Sequence, residues 1–261
     1  MTPTRALRIA ALTAAQRVIA APSVFLVSMG IYAGVVAILG SLWRTAAAAN
    51  HGAVAGYTGA ALTWYIAASE AATIPLNTRL IEMLGDDIGS GAITMELLRP
   101  ASVVAVRIAS EVGRTLPHLA LCLVMGTGLC WLTAGAPPHA GAALLAPLSV
   151  VLAITGNVVA QHAFAGVSFW IRDARSTWFI YQKFVFVVGG MLLPLEVLPH
   201  AMATGAKWLP FMAMAYAPAR LASGHFEPWL LLVQVGWIAA LAVAAASVFR
   251  SGERRLQVLG G

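Results

Sequence analysis

Charged and amide side chains are scarce in this chain, and the few that interrupt its apolar runs are the candidates for chemistry. Arg107, Glu111, Arg114 and His118 recur at intervals of four, three and four, so they share one stripe of a helix. Such a stripe either pairs internally at i,i+3 and i,i+4 or lines a hydrated vestibule, where it would meet Glu70 or Lys183 from neighbouring helices. Glu70 and Lys183 sit in apolar surroundings, where an unpaired charge costs about 3 kcal/mol even on lenient scales. Each therefore needs a partner or water, and with Arg114 the two would suit an ion or proton relay. Asn157 and Gln161, four apart, share a face suited to interhelical hydrogen bonding.

Other chemistries are excluded by what the sequence lacks. There is no G-x-x-x-x-G-K-[ST]; Gly85 to Gly91 is glycine-rich but has no lysine, so the chain cannot cradle ATP phosphates by itself and any nucleotide dependence must come from a partner. Neither H-E-x-x-H nor G-x-S-x-G occurs, and His51, His118, His139, His162, His200 and His225 are scattered without ligand spacing. No catalytic residue and no metal site is expected. Cys122 and Cys130, eight apart on one helix, are separated by roughly 12 Å, too far for a disulfide between them.

At 261 residues, 60% hydrophobic and 10% charged, with a mean hydropathy of +0.82, the chain has the composition of a polytopic membrane protein and is expected to form a single transmembrane domain over residues 1–261. The net charge of +6 does not point to nucleic acid, because the basic residues flank apolar runs rather than clustering with aromatics.

About twenty apolar residues cross the hydrocarbon core, and the charge-free runs give six spans. The first starts at Pro22 and ends by Trp43, and residues 46–52, with Asn50 and His51, read as a loop. The second covers 54–75 with Glu70 inside it, the third 103–132, the fourth 142–170, the fifth 176–193 with Lys183, and the sixth 229–249. Residues 1–21 form a moderately amphipathic helix suited to the interface. The competing reading is a cleaved signal peptide, against which Gln16 and Arg17 cut the apolar patch short. Residues 194–228, with five prolines, are too broken to cross and read as short helices on the outer face or dipping back into the membrane.

The stretch 78–102 is the long polar interruption. Ile81, Leu84 and Ile88 before Gly89-Ser90-Gly91, and Ile93, Leu97 and Leu98 after it, predict two short amphipathic helices. Six crossings put both termini on one side. Arg5, Arg8, Arg17, Arg79, Arg99, Arg172, Arg175, Arg250, Arg254 and Arg255 share that side, against Arg44, Lys207 and Arg220 on the other. This makes the termini, and the polar stretch with them, cytoplasmic.

The run Asp87-Ile88-Gly89-Ser90-Gly91-Ala92-Ile93-Thr94-Met95-Glu96-Leu97-Leu98-Arg99-Pro100, followed at once by a span, resembles the signature of bacterial permease subunits in the type 2 ABC exporter superfamily. Leu209-Pro210-Phe211, then Tyr216-Ala217-Pro218 and Gly224, is similar to a second hallmark of those permeases. With six spans and a leading elbow helix, the resemblance covers essentially the whole chain. Gly89 departs from it, standing where a charged residue is often seen.

The resemblance implies an all-α membrane protein of the inner membrane, non-catalytic, in which the segment between spans two and three is a coupling helix docking into a separate ATPase. That role would fall on Asp86, Asp87, Ile88, Gly91, Ile93, Glu96, Leu97, Leu98, Arg99 and Pro100. The apolar members would fill a cleft, and Asp87, Glu96 and Arg99 would fix orientation at its rim. It further implies two ATPase subunits and a second permease, identical or homologous. Spans two and five would line the pathway through Trp64, Tyr65, Ser69, Phe179, Gln182 and Phe186, and Leu209, Pro210, Phe211, Tyr216 and Pro218 would form an outer gate. The expected function is export of an amphipathic drug, natural product or lipid. The alternative is an autonomous secondary transporter or channel using Glu70, Arg114 and Lys183.

Overall fold

A computed structural model describes residues 3–20, 22–97, 102–171 and 173–259. Leu98, Arg99, Pro100 and Arg172 lie outside the described residues, as does the side chain of Leu97. Helix α1 (Pro3–Ile19) leads into α2 (Pro22–Ala49), and a two-stranded hairpin, β1 (Ala53–Val54) and β2 (Tyr57–Thr58), precedes α3 (Gly59–Ala71). Two short helices follow, α4 (Leu80–Gly89) and α5 (Ile93–Leu97), then α6 (Val103–Ala134), α7 (Ala140–Gly166) and α8 (Ala174–Lys183). The segment 194–228, expected on the outer face and called the outer segment for that reason, holds α9 (His200–Lys207), α10 (Pro210–Met214) and α11 (Tyr216–Ala222), and α12 (Trp229–Leu259) follows.

The result is an all-α membrane protein; among the described residues four helices are long and apolar enough to cross a bilayer, α2, α6, α7 and α12. The stretches expected to be the second and fifth spans are built differently. Helix α3 has 13 residues, about 20 Å of rise, and the chain then turns before Pro75, which has no N–H to continue a helix. Helix α8 has 10 residues and runs on as a π-helical turn, Phe184–Val188, until Gly190 takes a φ of +69° that only glycine adopts freely.

Local chemistry sets the boundaries. Thr58, Ser102, His139 and Asp173 each accept a hydrogen bond from the backbone N–H three residues on, capping α3, α6, α7 and α8. Helix α2 runs through Ala49 rather than ending at the loop expected over 46–52, because Ala46 to Ala49 are strong helix formers. The hairpin was not expected. Its two-residue turn, Ala55-Gly56, has positive φ at both positions, as a tight hairpin requires.

Small residues let the helices approach closely. A Cβ on Gly113 would come within 2.2 Å of the Ala11 carbonyl oxygen, so α1 lies directly on α6. One apolar core joins α2, α3, α6, α7 and the outer helices, with Leu62, Tyr65, Ile66, Cys122, Cys130 and Ile154 essentially inaccessible. A second gathers Ile81, Leu84, Ile88, Ile93, Phe169, Tyr181 and Phe249. Helix α11 is buried almost throughout and packs on α3 and α7, so the outer segment is wedged into the bundle rather than resting on it.

Candidate functional site

The α4–α5 hairpin carries the longest run of polar sequence in the chain. Its apolar side faces inward. Ile81, Leu84, Ile88 and Ile93 are all at most 4% exposed, and at about 1.5–3 kcal/mol for each fully buried side chain they fasten the hairpin firmly to α7 and α8. Ile93, expected to fill a partner's cleft, is therefore spent inside this chain. Asp87 and Glu96, expected at the rim of that cleft, converge on Arg107: its Nη2 lies 2.7 Å from Asp87 Oδ2 and 2.8 Å from Glu96 Oε1, and its Nε donates to Glu96 Oε2 at 2.9 Å. What the hairpin presents outward is Met83, Asp86, Gly89, Ser90, Thr94 and Met95, with Met95 72% exposed.

The four-residue stripe on α6 does not act as one unit. Arg107 turns to the hairpin, whereas Arg114 Nε pairs with Glu111 Oε2 at 2.8 Å. Arg114 and His118, each with one buried nitrogen lacking a partner, line a cavity of about 560 Å³ between α1 and α6 together with Glu111, Arg17 and Phe25. Lys183 is exposed and sits over the Phe179 ring, 4.9 Å from its centroid. Among the described residues no ion pair joins Glu70, Arg114 and Lys183.

Glu70 instead faces a cavity of about 370 Å³ bounded by α2, the segment 70–78, α7 and α8. Gln161, Gln182 and Phe186 line the same space, as do Trp178 and Tyr181. Tyr181 donates to Asn157 Oδ1 at 2.7 Å, and Asn157 Nδ2 donates to the Ala153 and Met214 carbonyls, so α7, α8 and α10 are joined through one buried amide. The other residues proposed for a pathway wall have different surroundings. Tyr65 donates to the Gly190 carbonyl, and Ser69 donates to the Met191 carbonyl at 3.0 Å, both completely buried between α3 and the turn after α8. Trp64 is 8% exposed with its indole N–H unpaired, and Phe179 is exposed.

The outer segment is organised by a polar knot that the sequence did not suggest. Glu196 accepts from Tyr216 and, at 3.1 Å, from Tyr57 of the hairpin; Arg220 donates to Tyr57 and to Glu227, and Lys207 lies 3.7 Å from Glu196. Burial pushes the Glu196 carboxyl up, but the Tyr216 hydroxyl, the Arg220 guanidinium and Tyr57 together hold it below the usual carboxylate range. Of the gate residues, Phe211, Tyr216 and Pro218 are buried, with Phe211 stacked on Phe184 at 5.1 Å, while Leu209 is exposed and Pro210 starts α10.

Among the described residues no three His, Cys, Asp or Glu side chains gather as metal ligands. A model of the ABC-2 family transporter proteins matches residues 42–260, from the end of α2 to past the last described residue of α12. No curated protein matches the chain.

Proposed function

Since the chain belongs to the ABC-2 family of transporter proteins, we propose that it is the non-catalytic transmembrane subunit of an ATP-driven exporter. It works with a second permease, identical or homologous, and with two ATPase subunits that bind ATP and magnesium. On this reading α3 and α8, short as they are, complete six crossings of the inner membrane, with both termini and the α4–α5 hairpin in the cytoplasm. The cargo is an amphipathic drug, natural product or lipid.

The observation that carries the proposal is the build of the hairpin. It is fixed inward by four buried aliphatic side chains and by Arg107, and it shows water two methionines among small polar residues. A partner pressing on Met83 and Met95 would therefore move α4, α7, α8 and the base of α6 together. ATP binding in the partner shifts the permease only through differential affinity for its two states. A relay through Glu70, Arg114 and Lys183 gains no support, since Glu70 and Arg114 line separate cavities and Lys183 is on the surface.

The experiment is a pull-down of the tagged full chain from its native membranes. An ATP-hydrolysing subunit is expected to copurify, and M83E/M95E is expected to lose it while still inserting in the membrane. Recovery of an intact transporter with no ATPase, pumping on its own, would refute the proposal.

A further inference from the structure

The geometry points to the cavity of Glu70 and Gln161 as a binding site for lipophilic organic monocations. This inference rests on the exporter reading for treating the ligand as cargo, but not for the binding itself.

Glu70 is 3% exposed and Gln161 5%, yet neither side chain has a hydrogen-bond or ion-pair partner among the described residues. Buried polar groups are almost always paired, and a carboxylate left alone in apolar surroundings carries an uncompensated desolvation cost. The two groups line one cavity of about 370 Å³, within the range that holds small organic ligands. Of the other polar side chains there, Tyr181 is tied to Asn157 and Asn157 to two backbone carbonyls, while the Gln182 amide, like that of Gln161, makes no hydrogen bond among the described residues. A ligand therefore meets one carboxylate and the amides of Gln161 and Gln182.

The rest of the wall selects the body of that ligand. Ile31, Val35 and Ile74 offer aliphatic surface, Trp178 offers a ring whose face favours a cation, and Phe186, over whose ring Lys183 Nζ lies 6.0 Å from the centroid, adds aromatic surface. Among the described side chains that line the cavity there is no lysine, arginine or histidine to neutralise Glu70. A cation with aromatic substituents would supply the missing charge and cover the apolar wall at once; an anion of the same shape would face Glu70 unscreened. The lining runs along 70–78 to Asn77 and Thr78, next to α4, so a ligand here lies against the segment that joins α3 to the hairpin.

Tetraphenylphosphonium and tetraphenylborate, equal in shape and opposite in charge, are the probes. Each is measured by equilibrium dialysis on the full chain with its copurifying subunits in zwitterionic nanodiscs, with partition into empty nanodiscs subtracted. The wild-type protein is expected to prefer the cation at least tenfold, E70Q to lose that preference, and F186A to weaken both probes. Equal binding of the two ions by the wild type, or unchanged cation binding by E70Q, overturns the inference. Should E70Q not fold, the wild type alone decides. Tetraphenylphosphonium, and not tetraphenylborate, should protect Glu70 from carbodiimide modification, read by peptide mass spectrometry, and failure to protect overturns the site. ATP hydrolysis by the copurified subunits is recorded on the same samples. Hydrolysis without cation preference sinks only this inference, and cation preference without any ATPase sinks only the exporter reading.

Discussion

Arg107, in the first turns of α6, reaches back to Asp87 on α4, with Nη2 and Oδ2 2.7 Å apart. The same guanidinium holds Glu96 on α5 through two further bonds, so one side chain fixes both arms of the hairpin to the base of a membrane-crossing helix. Because Asp87 and Glu96 are each more than a third exposed, screening keeps these bonds to about 1 kcal/mol apiece. The clamp therefore adds little stability and chiefly ties the two arms of the hairpin to α6.

Replacing Arg107 by methionine is therefore expected to leave the fold and ATPase association in place while loosening the hairpin. Backbone amides of α5 should exchange several-fold faster with deuterium, and transport per ATP hydrolysed should fall. R107K, which keeps the charge but loses the planar fork, should fall between the two. Unchanged exchange in R107M would show that the buried aliphatic face alone holds α5.

The knot around Glu196 predicts how the outer segment responds to acid. A carboxyl whose folded pKa lies below its ordinary value of 4.5 contributes stability above that value, and the contribution is lost as pH falls through the folded pKa. The contribution of Glu196, read as the difference in melting temperature between the wild type and E196Q, should thus be flat from pH 7 to 5 and shrink below pH 4.5. E196Q should melt lower at pH 7, by the equivalent of about 2 kcal/mol for a partly buried, charge-assisted cluster, and show a weaker acid slope. Parallel slopes in the two proteins would assign acid sensitivity to other carboxyls.

How much of this was legible in the sequence follows from the range of each interaction. Apolar run length and the Gly89-Ser90-Gly91 break are local signals, and α1, α4, α5, α6 and α7 stand close to where periodicity put them, while α12 starts at Trp229 as expected and runs on past 249 to Leu259. The partners of Arg107 are 11 and 20 residues away in a different helix, and Tyr57 meets Arg220 across 163 residues. No periodicity encodes such pairs, so the stripe on α6 suggested one network where the fold makes two. The inward burial of Ile93 was hidden for a related reason. Spacing shows that an amphipathic helix has an apolar face, but not whether that face meets its own chain or a partner. The shared cavity of Glu70 and Gln161 likewise depends on α3 and α7 lying side by side.

Gly113 should tolerate little, because a Cβ there meets the Ala11 backbone rather than a movable side-chain tip. G113A is expected to cost about 1–3 kcal/mol through a shift of α1, and G113L to detach α1 from α6. Limited proteolysis in detergent would report the second as rapid cleavage within 3–19, with the rest of the chain still protected. An α1 that stays protected in G113L would mean that this helix has room to slide along α6.

The contact between α4 and α8 gives the most direct test of how movement of the α4–α5 hairpin reaches the rest of the bundle. A Cβ on Gly85 would lie 2.3 Å from the Ala174 Cβ and 2.9 Å from Ser168 Oγ, so α4 is seated against the start of α8 with no side chain between them. Substituting valine would pry the two helices apart, while Met83 and Met95 on the outward side stay available to a partner. G85V is accordingly expected to retain the ATPase subunit and lose most transport, whereas G85A should lose part of it. Removing the opposing methyl group in G85A/A174G should restore some of that loss, because the two changes share one contact and so are not additive. A double variant no better than G85A would locate the transmission elsewhere, with the Arg107 clamp on α6 as the remaining route from the hairpin into the membrane.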